Sequence, residues 1–365
     1  MTTNDLPDRL AAWFADQISN ADEVRVEGLD HASLGHSSET LVMTIVARVG
    51  GVERRQDVVV RQRPPKPGLL EPYDLCGQFE VLKGLEGTDV RAPEALWIEP
   101  TGAVLGREFF VMARLDGEVW EQQRIPAEME SDGTLRRMCE SMVDQLAAIH
   151  LVDLEATGLA SLGDGATFLD RELERWAAEM RRVQRGPLPA MERLLEELRK
   201  QQPEPCPTVT LVHGDPKPGN FAFVGDEVSA VFDWELTTVG DPLADVGYLE
   251  LLWAMPVGIT SKPSSLTVDE FVTRWEQRTG ITVQHRNWYL AMQVFKVDVI
   301  QLIASMLYDA GHWDDPRAIQ MAMGIELMTP IGLNSLGVTD ELPLGPIYPR
   351  EERMQAAQAP TSDQR

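Results

Sequence analysis

The sequence predicts an α+β chain of two lobes: a small N-terminal antiparallel β lobe with one inserted helix, then a larger, mainly helical lobe. Three observations lead there. Residues 23–63 hold three strand-like runs rich in Val, Ile and Thr. From residue 117 onward the apolar period becomes helical. A short strand–turn–strand pattern then interrupts the helices near residues 208–232. The chain has 365 residues, enough for two domains, and is 43% hydrophobic and 25% charged, a composition able to bury a sizeable core.

Leu10, Trp13, Phe14 and Ile18 fall on one helical face, so residues 1–20 predict an N-terminal amphipathic helix. The runs 23–29, 40–49 and 57–63 read as strands separated by the turn-like stretches "DHASLGHSSE" and "GGVERRQ". "YDLCGQFEVLKGLEG" (73–87) reads as the inserted helix, ending at Gly87, and "PEALWIEPTG" with "REFFVMARLDG" as a hairpin pair. Residues 21–112 thus form the first lobe, with a connector near 112–117. In 134–153, Leu135, Met138, Met142, Leu146 and Ile149 recur at helical spacing. Further helices follow in "FLDRELERWAAEMRRVQ", "LPAMERLLEELRKQQ", "DPLADVGYLELLWAM", "TVDEFVTRWEQRTG" and from about Asn287 to Asp309. They fill a second lobe spanning 113–337. Residues 338–365 lack an apolar period and read as a loose tail. Trp120, Trp176, Met180, Trp253, Trp275, Trp288 and Met292 read mainly as core.

A net charge of −25 and no Lys/Arg cluster argue against nucleic acid as partner. The three cysteines are far apart, without zinc or disulfide spacing. No apolar run reaches bilayer-spanning length, and the first residues are polar and acidic, so a cytoplasmic protein with no membrane partner is expected.

"LVHGDPKPGN" (211–220) concentrates chemistry on one constrained turn. A strand, "TVTLV", delivers His213, Gly214 and Asp215 to its end, and "GDE" (225–227) is a hairpin signal. Folding there brings Asn220 beside residues 231–233, so Asp215, Asn220 and Asp233 converge as oxygen donors suited to Mg²⁺. With one imidazole and no cysteine nearby, zinc is a poor candidate. An Asp, an Asn five residues on and an Asp closing the next hairpin describe a phosphoryl-transfer site.

"HGDPKPGN" and "VFDWE" resemble the catalytic and metal loops of the aminoglycoside phosphotransferase family, a small-molecule branch of the bilobal protein-kinase-like fold. The resemblance spans roughly residues 20–335 in lobe order. It implies Asp215 as catalytic base, Asn220 and Asp233 as Mg²⁺ ligands, His213 as buried support and Lys217 as a cation for the transferring phosphate. "GDPLADVG" (240–247) is similar too. Asp241 before Pro242 suits an N-cap, and Asp245 is placed to bond the backbone of the HGD loop, both as structural support. Glu235 reads as a solvated strand-end acid, with a metal neighbour as the alternative.

By the same resemblance the first lobe holds ATP, with GTP the alternative. Gly35, Ser37 and Ser38 of "LGHSSET" form the phosphate loop, Arg61 of "VVVRQRPP" pairs with phosphates, and backbone at Met112, Ala113 and Arg114 meets adenine. The prolines after Arg61 match an acyl-CoA-dehydrogenase-associated, kinase-like subgroup. There the inserted helix supplies a Glu to the cation, whereas this chain has Gln78 at that position. Glu80, two residues on, faces elsewhere. The expected activity is ATP- and Mg²⁺-dependent phosphorylation of a small-molecule hydroxyl, with aminoglycosides poor substrates. A kinase-like nucleotide binder with weak or no turnover is the alternative, and a metal-dependent phosphohydrolase ranks last.

Overall fold

The computed structural model describes residues 5–31, 39–65, 67–120, 125–253, 255, 258–352 and 354. Its elements run α1 (Leu6–Gln17), β1 (Ala21–His31), β2 (Glu39–Val49), β3 (Val52–Gln62), α2 (Leu75–Leu85), β4 (Ala95–Glu99), β5 (Phe109–Ala113), β6 (Glu118–Val119), α3 (Ala127–Ser131), α4 (Thr134–His150), α5 (Phe168–Val183) and α6 (Pro189–Lys200). They continue with β7 (Thr210–Val212), β8 (Phe221–Val224), β9 (Glu227–Val231), β10 (Thr238–Gly240), α7 (Leu243–Trp253), α8 (Val268–Thr279), α9 (Arg286–Asp309) and α10 (Arg317–Ser335). The chain divides into two compact units, one of residues 1–160, 218–237 and 257–266, the other of 161–217, 238–256 and 267–365. The expected division at residue 112 is therefore not where the units part. Strand β6 pairs with β8, and Ser141 of α4 bonds the Val228 amide of β9, so this second small sheet belongs with the first unit.

The first unit is built on a five-stranded antiparallel sheet of order β1-β2-β3-β5-β4. Alternation sorts its two faces. Leu41, Met43 and Ile45 of β2, Val58 and Val60 of β3, and Phe109 and Val111 of β5 bury against Leu10 and Phe14 of α1. The opposite face carries α2, whose Phe79 ring lies 6.2 Å from that of Phe110 on β5. Helix α2 starts at Asp74, whose side chain accepts the Gly77 amide at 2.8 Å. Strand β3 begins earlier than the sequence suggests. Gly50 and Gly51, at φ +57° and +78°, make the whole β2–β3 turn, and the exposed "VERRQ" pairs on with β2.

The second unit is helical around α9, which packs on α5, α6, α7 and α10. An 18-residue window of α9 has a mean hydropathy of 1.6, apolar enough to cross a membrane, and 78% of that window is buried inside the protein. Hydrophobicity all round is what a central core helix needs. Gly247 lets α7 approach, since a Cβ there would meet Tyr289 of α9 at 2.8 Å. Helix α10 lies outside the helices predicted from sequence: Gly324 and Pro330 weaken its propensity, but Ala318, Ala322, Ile325 and Leu333 bury one face. The tail expectation is corrected for residues 338–352. Val338 and Ile347 are buried, the Pro343 carbonyl accepts the Ala190 amide, and Asp309 bonds the Arg350 backbone at 2.7 Å and Arg185 at 2.9 Å. The segment lacks periodicity because it is held point by point.

Candidate active site

In the second unit, β7 pairs with β10 and delivers His213 at its end. Gly214 turns there at φ +85°, a conformation a side chain would strain. Asp245, in the first turn of α7, accepts the backbone N–H groups of His213 at 2.7 Å and Gly214 at 2.9 Å. Asp241 accepts from the Leu243 amide at 2.9 Å, the Cys206 amide at 2.8 Å and the Tyr289 hydroxyl at 2.6 Å. Both carboxylates sit at a helix N-terminus, where the backbone dipole favours them.

This frame presents Asp215, which is 9% exposed. Its amide donates to Nδ1 of the buried His213 at 3.2 Å. Its Oδ1 accepts the Tyr248 hydroxyl, and Lys217 Nζ stands 3.1 Å from its Oδ2. Beneath them lies Lys296 of α9, buried, donating to the Gly214 carbonyl and 4.8 Å above the Tyr248 ring. Burial lowers the Lys296 pKa against the opposing pull of Glu172, Asp215 and Asp245.

In the first unit, β8 and β9 form the expected hairpin, with Phe221 opposite Val231. The Asn220 carbonyl accepts the Phe232 amide at 2.8 Å, which sets Asn220 beside residues 231–233. Asp233 adopts φ +68°, a left-handed conformation that Asp tolerates better than most residues, and the Trp234 indole locks the turn by donating to the Val231 carbonyl at 3.0 Å. Arg61 reaches this turn: Nη1 donates to Asp233 Oδ1 at 2.7 Å, and Nη2 lies 3.5 Å from Glu235 Oε2. Burial works to lower the guanidinium pKa, and Asp233 and Glu235 outweigh it, so the group is held above its usual value.

One sequence reading changes. Glu235 is no solvated acid; its side chain is 7% exposed and ion-paired to Arg61. Gln78 is buried on α2, and Glu80 is exposed. At the connector, the amides of Ala113 and Arg114 already donate to the Glu94 and Asp57 carbonyls at 2.9 and 3.0 Å, while Met112 is inside β5. Those two amide donors are paired within the first unit. Gly35, Ser37 and Ser38 lie outside the described residues. Trp176, Met180, Trp253, Trp275, Trp288 and Met292 are core, and Trp120 lines a cavity of about 650 Å³ with Glu118, Met129 and Asp226.

Sequence reasoning missed Tyr248 and Lys296. Tyr248 follows Asp245 by three positions and so shares its helical face. Lys296 is a lone cation within "AMQVFKVDVI", and a buried charge in such a run must find polar partners.

A model of the phosphotransferase enzyme family (APH) matches residues 46–281. The chain is 30% identical over 259 residues to acyl-CoA dehydrogenase family member 10 of Mus musculus, covering 67% of this chain and 24% of that protein. It is 28% identical over 291 residues to family member 11 of Rattus norvegicus, covering 76% of this chain and 37% of that protein. The chain thus spans between 24% and 37% of the length of these relatives. Among solved structures, a candidate aminoglycoside phosphotransferase from Ralstonia eutropha superposes with a TM-score of 0.72 at 24% identity over 92% of this chain and 99% of the other. A mutant of APH(4)-Ia in complex with ADP and hygromycin B gives a TM-score of 0.57 at 16% identity over 93% of this chain and 100% of that one. These structures share the fold.

Proposed function

The chain belongs to the phosphotransferase enzyme family, and from that premise we propose that it is an ATP- and Mg²⁺-dependent phosphotransferase acting on the hydroxyl of a small molecule. The observation that carries this reading is Asp215, a nearly buried carboxylate at a strand end, anchored on one oxygen by Tyr248 and facing Lys217 on the other. Asp215 receives the acceptor hydroxyl and takes its proton, which places the nucleophile for in-line attack on a γ-phosphorus. Lys217 lies two residues on and meets the charge on the transferring group. Asn220 and Asp233 would hold Mg²⁺, which when bound offsets charge on the β- and γ-phosphates.

The residues fit these groups. The donor set is oxygen only, as Mg²⁺ prefers. Arg61 keeps its charge, and its Nε is buried without a hydrogen-bond partner among the described residues, a donor left over for a phosphate oxygen. Gln78, the residue that favours a nucleotide binder without turnover, is offset by the Glu235 carboxylate. Since an APH(4)-Ia structure binds ADP, a nucleotide is the first ligand to test.

The test is a library of metabolite alcohols screened for ADP release from Mg²⁺-ATP, with Asp215→Ala as control. The substitution is expected to lower kcat by about 10²–10⁴-fold. Hygromycin-type compounds are expected to turn over poorly. ADP release that survives Asp215→Ala unchanged, or a chain that binds no nucleotide, overturns the assignment.

A further inference from the structure

The Arg61 guanidinium lies between two carboxylates of one turn. One guanidinium, 11% exposed at its side chain, faces two carboxylates, Asp233 at 2.7 Å and Glu235 at 3.5 Å. A buried cation needs a counter-charge that stays with it. The two acids are not equivalent. Asp233 is 20% exposed at its side chain and Glu235 only 7%. Asp233 is thus the one reachable by an incoming cation, and Glu235 the one that stays.

We infer that Glu235 is the standing counter-ion of Arg61, which holds the guanidinium in place while Asp233 turns to a bound divalent cation. Glu235 is a positioning residue: it acts through Arg61. This rests on the phosphotransferase reading for its purpose, but the pairing itself does not.

The sheet supplies a way to test it. Val58 and Val60 point to the α1 face, so Arg61 points to the other, and its direct cross-strand partner is Phe110. Phe110 in turn meets Phe79 of α2. Position 78, next to Phe79 and buried, therefore lies on the helix that covers the Arg61 side of the sheet, and α2 also packs against the turn at 234–236. A carboxylate at position 78 is therefore the one to set against the same guanidinium as a test of rescue.

Three variants decide the matter, each followed by thermal melting without ligand and by titration with a fluorescent ATP analogue plus Mg²⁺. Glu235→Gln leaves Arg61 without its standing partner; the melting temperature is expected to fall by about 3 °C or more, and nucleotide affinity by about 10-fold. Gln78→Glu combined with Glu235→Gln is expected to recover at least half of both losses, because the charge is restored from the other side. Glu235→Asp keeps the charge and is expected to stay near wild type in melting. If Glu235→Gln does not fold, recovery of a folded chain in the double variant is the same rescue. A double variant no better than Glu235→Gln overturns the inference, as does a Glu235→Gln chain that melts and binds like wild type. If the melting pattern holds while wild type binds no nucleotide, the pairing stands and the phosphotransferase reading falls.

Discussion

Tyr248 carries a single hydroxyl whose donation to Asp215 Oδ1 fixes which way that carboxylate turns. Its ring does a second task, covering the Lys296 ammonium at 4.8 Å. Tyr248→Phe separates the two, since the ring remains and the hydroxyl goes. A bond to a charged group contributes about 2 kcal/mol, so a modest drop in stability is expected. The decisive reading is kinetic and belongs to the proposed phosphotransfer: kcat is expected to fall about 10-fold while KM for ATP holds. Equal kcat in steady-state assays takes Tyr248 out of the active site. At this scale the sequence was informative wherever neighbours in space are near in sequence. Asn220 and the hairpin leading to Asp233 lie within one short stretch, and the turn signal at 225–227 was enough to set Asn220 beside residues 231–233. Glu235 was misread because its partner comes from β3: the Arg61–Asp233 contact joins positions 172 apart, and no local pattern announces it.

Helices and strands were legible where periodicity was clean, and blurred where packing overrode it. Helix α1 and the inserted α2 follow their apolar faces, whereas β3 extends through exposed "VERRQ" because backbone pairing needs no apolar pattern. Helix α9 hides the opposite lesson, since an almost wholly apolar run contains a fully buried Asp298. One carboxyl oxygen accepts the Thr329 hydroxyl of α10 at 2.7 Å, and the other has no partner among the described residues. Burial pushes this carboxyl well above its usual 3.8, with the Thr329 bond opposing. The folded state therefore binds the proton more tightly than the unfolded chain. Its contribution is complete below about pH 3.8 and is lost as pH rises through the folded value. Asp298→Asn stays neutral throughout. Relative to wild type, the variant is expected to gain stability as pH rises from about 4 toward 8, by up to about 1.4 kcal/mol per pH unit within the titration window. Melting curves across that range check it; a constant offset between the two chains contradicts it.

For the whole molecule, 58 acidic side chains stand against 33 basic ones, a net charge of −25. Two effects of salt then compete. Screening weakens the exposed ion pairs, such as Arg25 with Glu27 and Arg181 with Glu174, but pairs this exposed add little to stability. Screening also relieves repulsion among the unmatched carboxylates, which acts on the compact state far more than on an expanded chain. With 25 negative charges in excess, the second effect is the larger. The melting temperature is expected to rise by about 2–5 °C between 10 and 150 mM NaCl, as the screening length shrinks from roughly 30 to 8 Å, and to level off beyond. Raising protein charge is a control: Asp→Asn changes at exposed, unpaired acids should raise the low-salt melting temperature and flatten the salt dependence together. A melting temperature that falls with salt over the same range means that the local pairs dominate. In that case the acidic excess is borne by regions that do not feel one another's field.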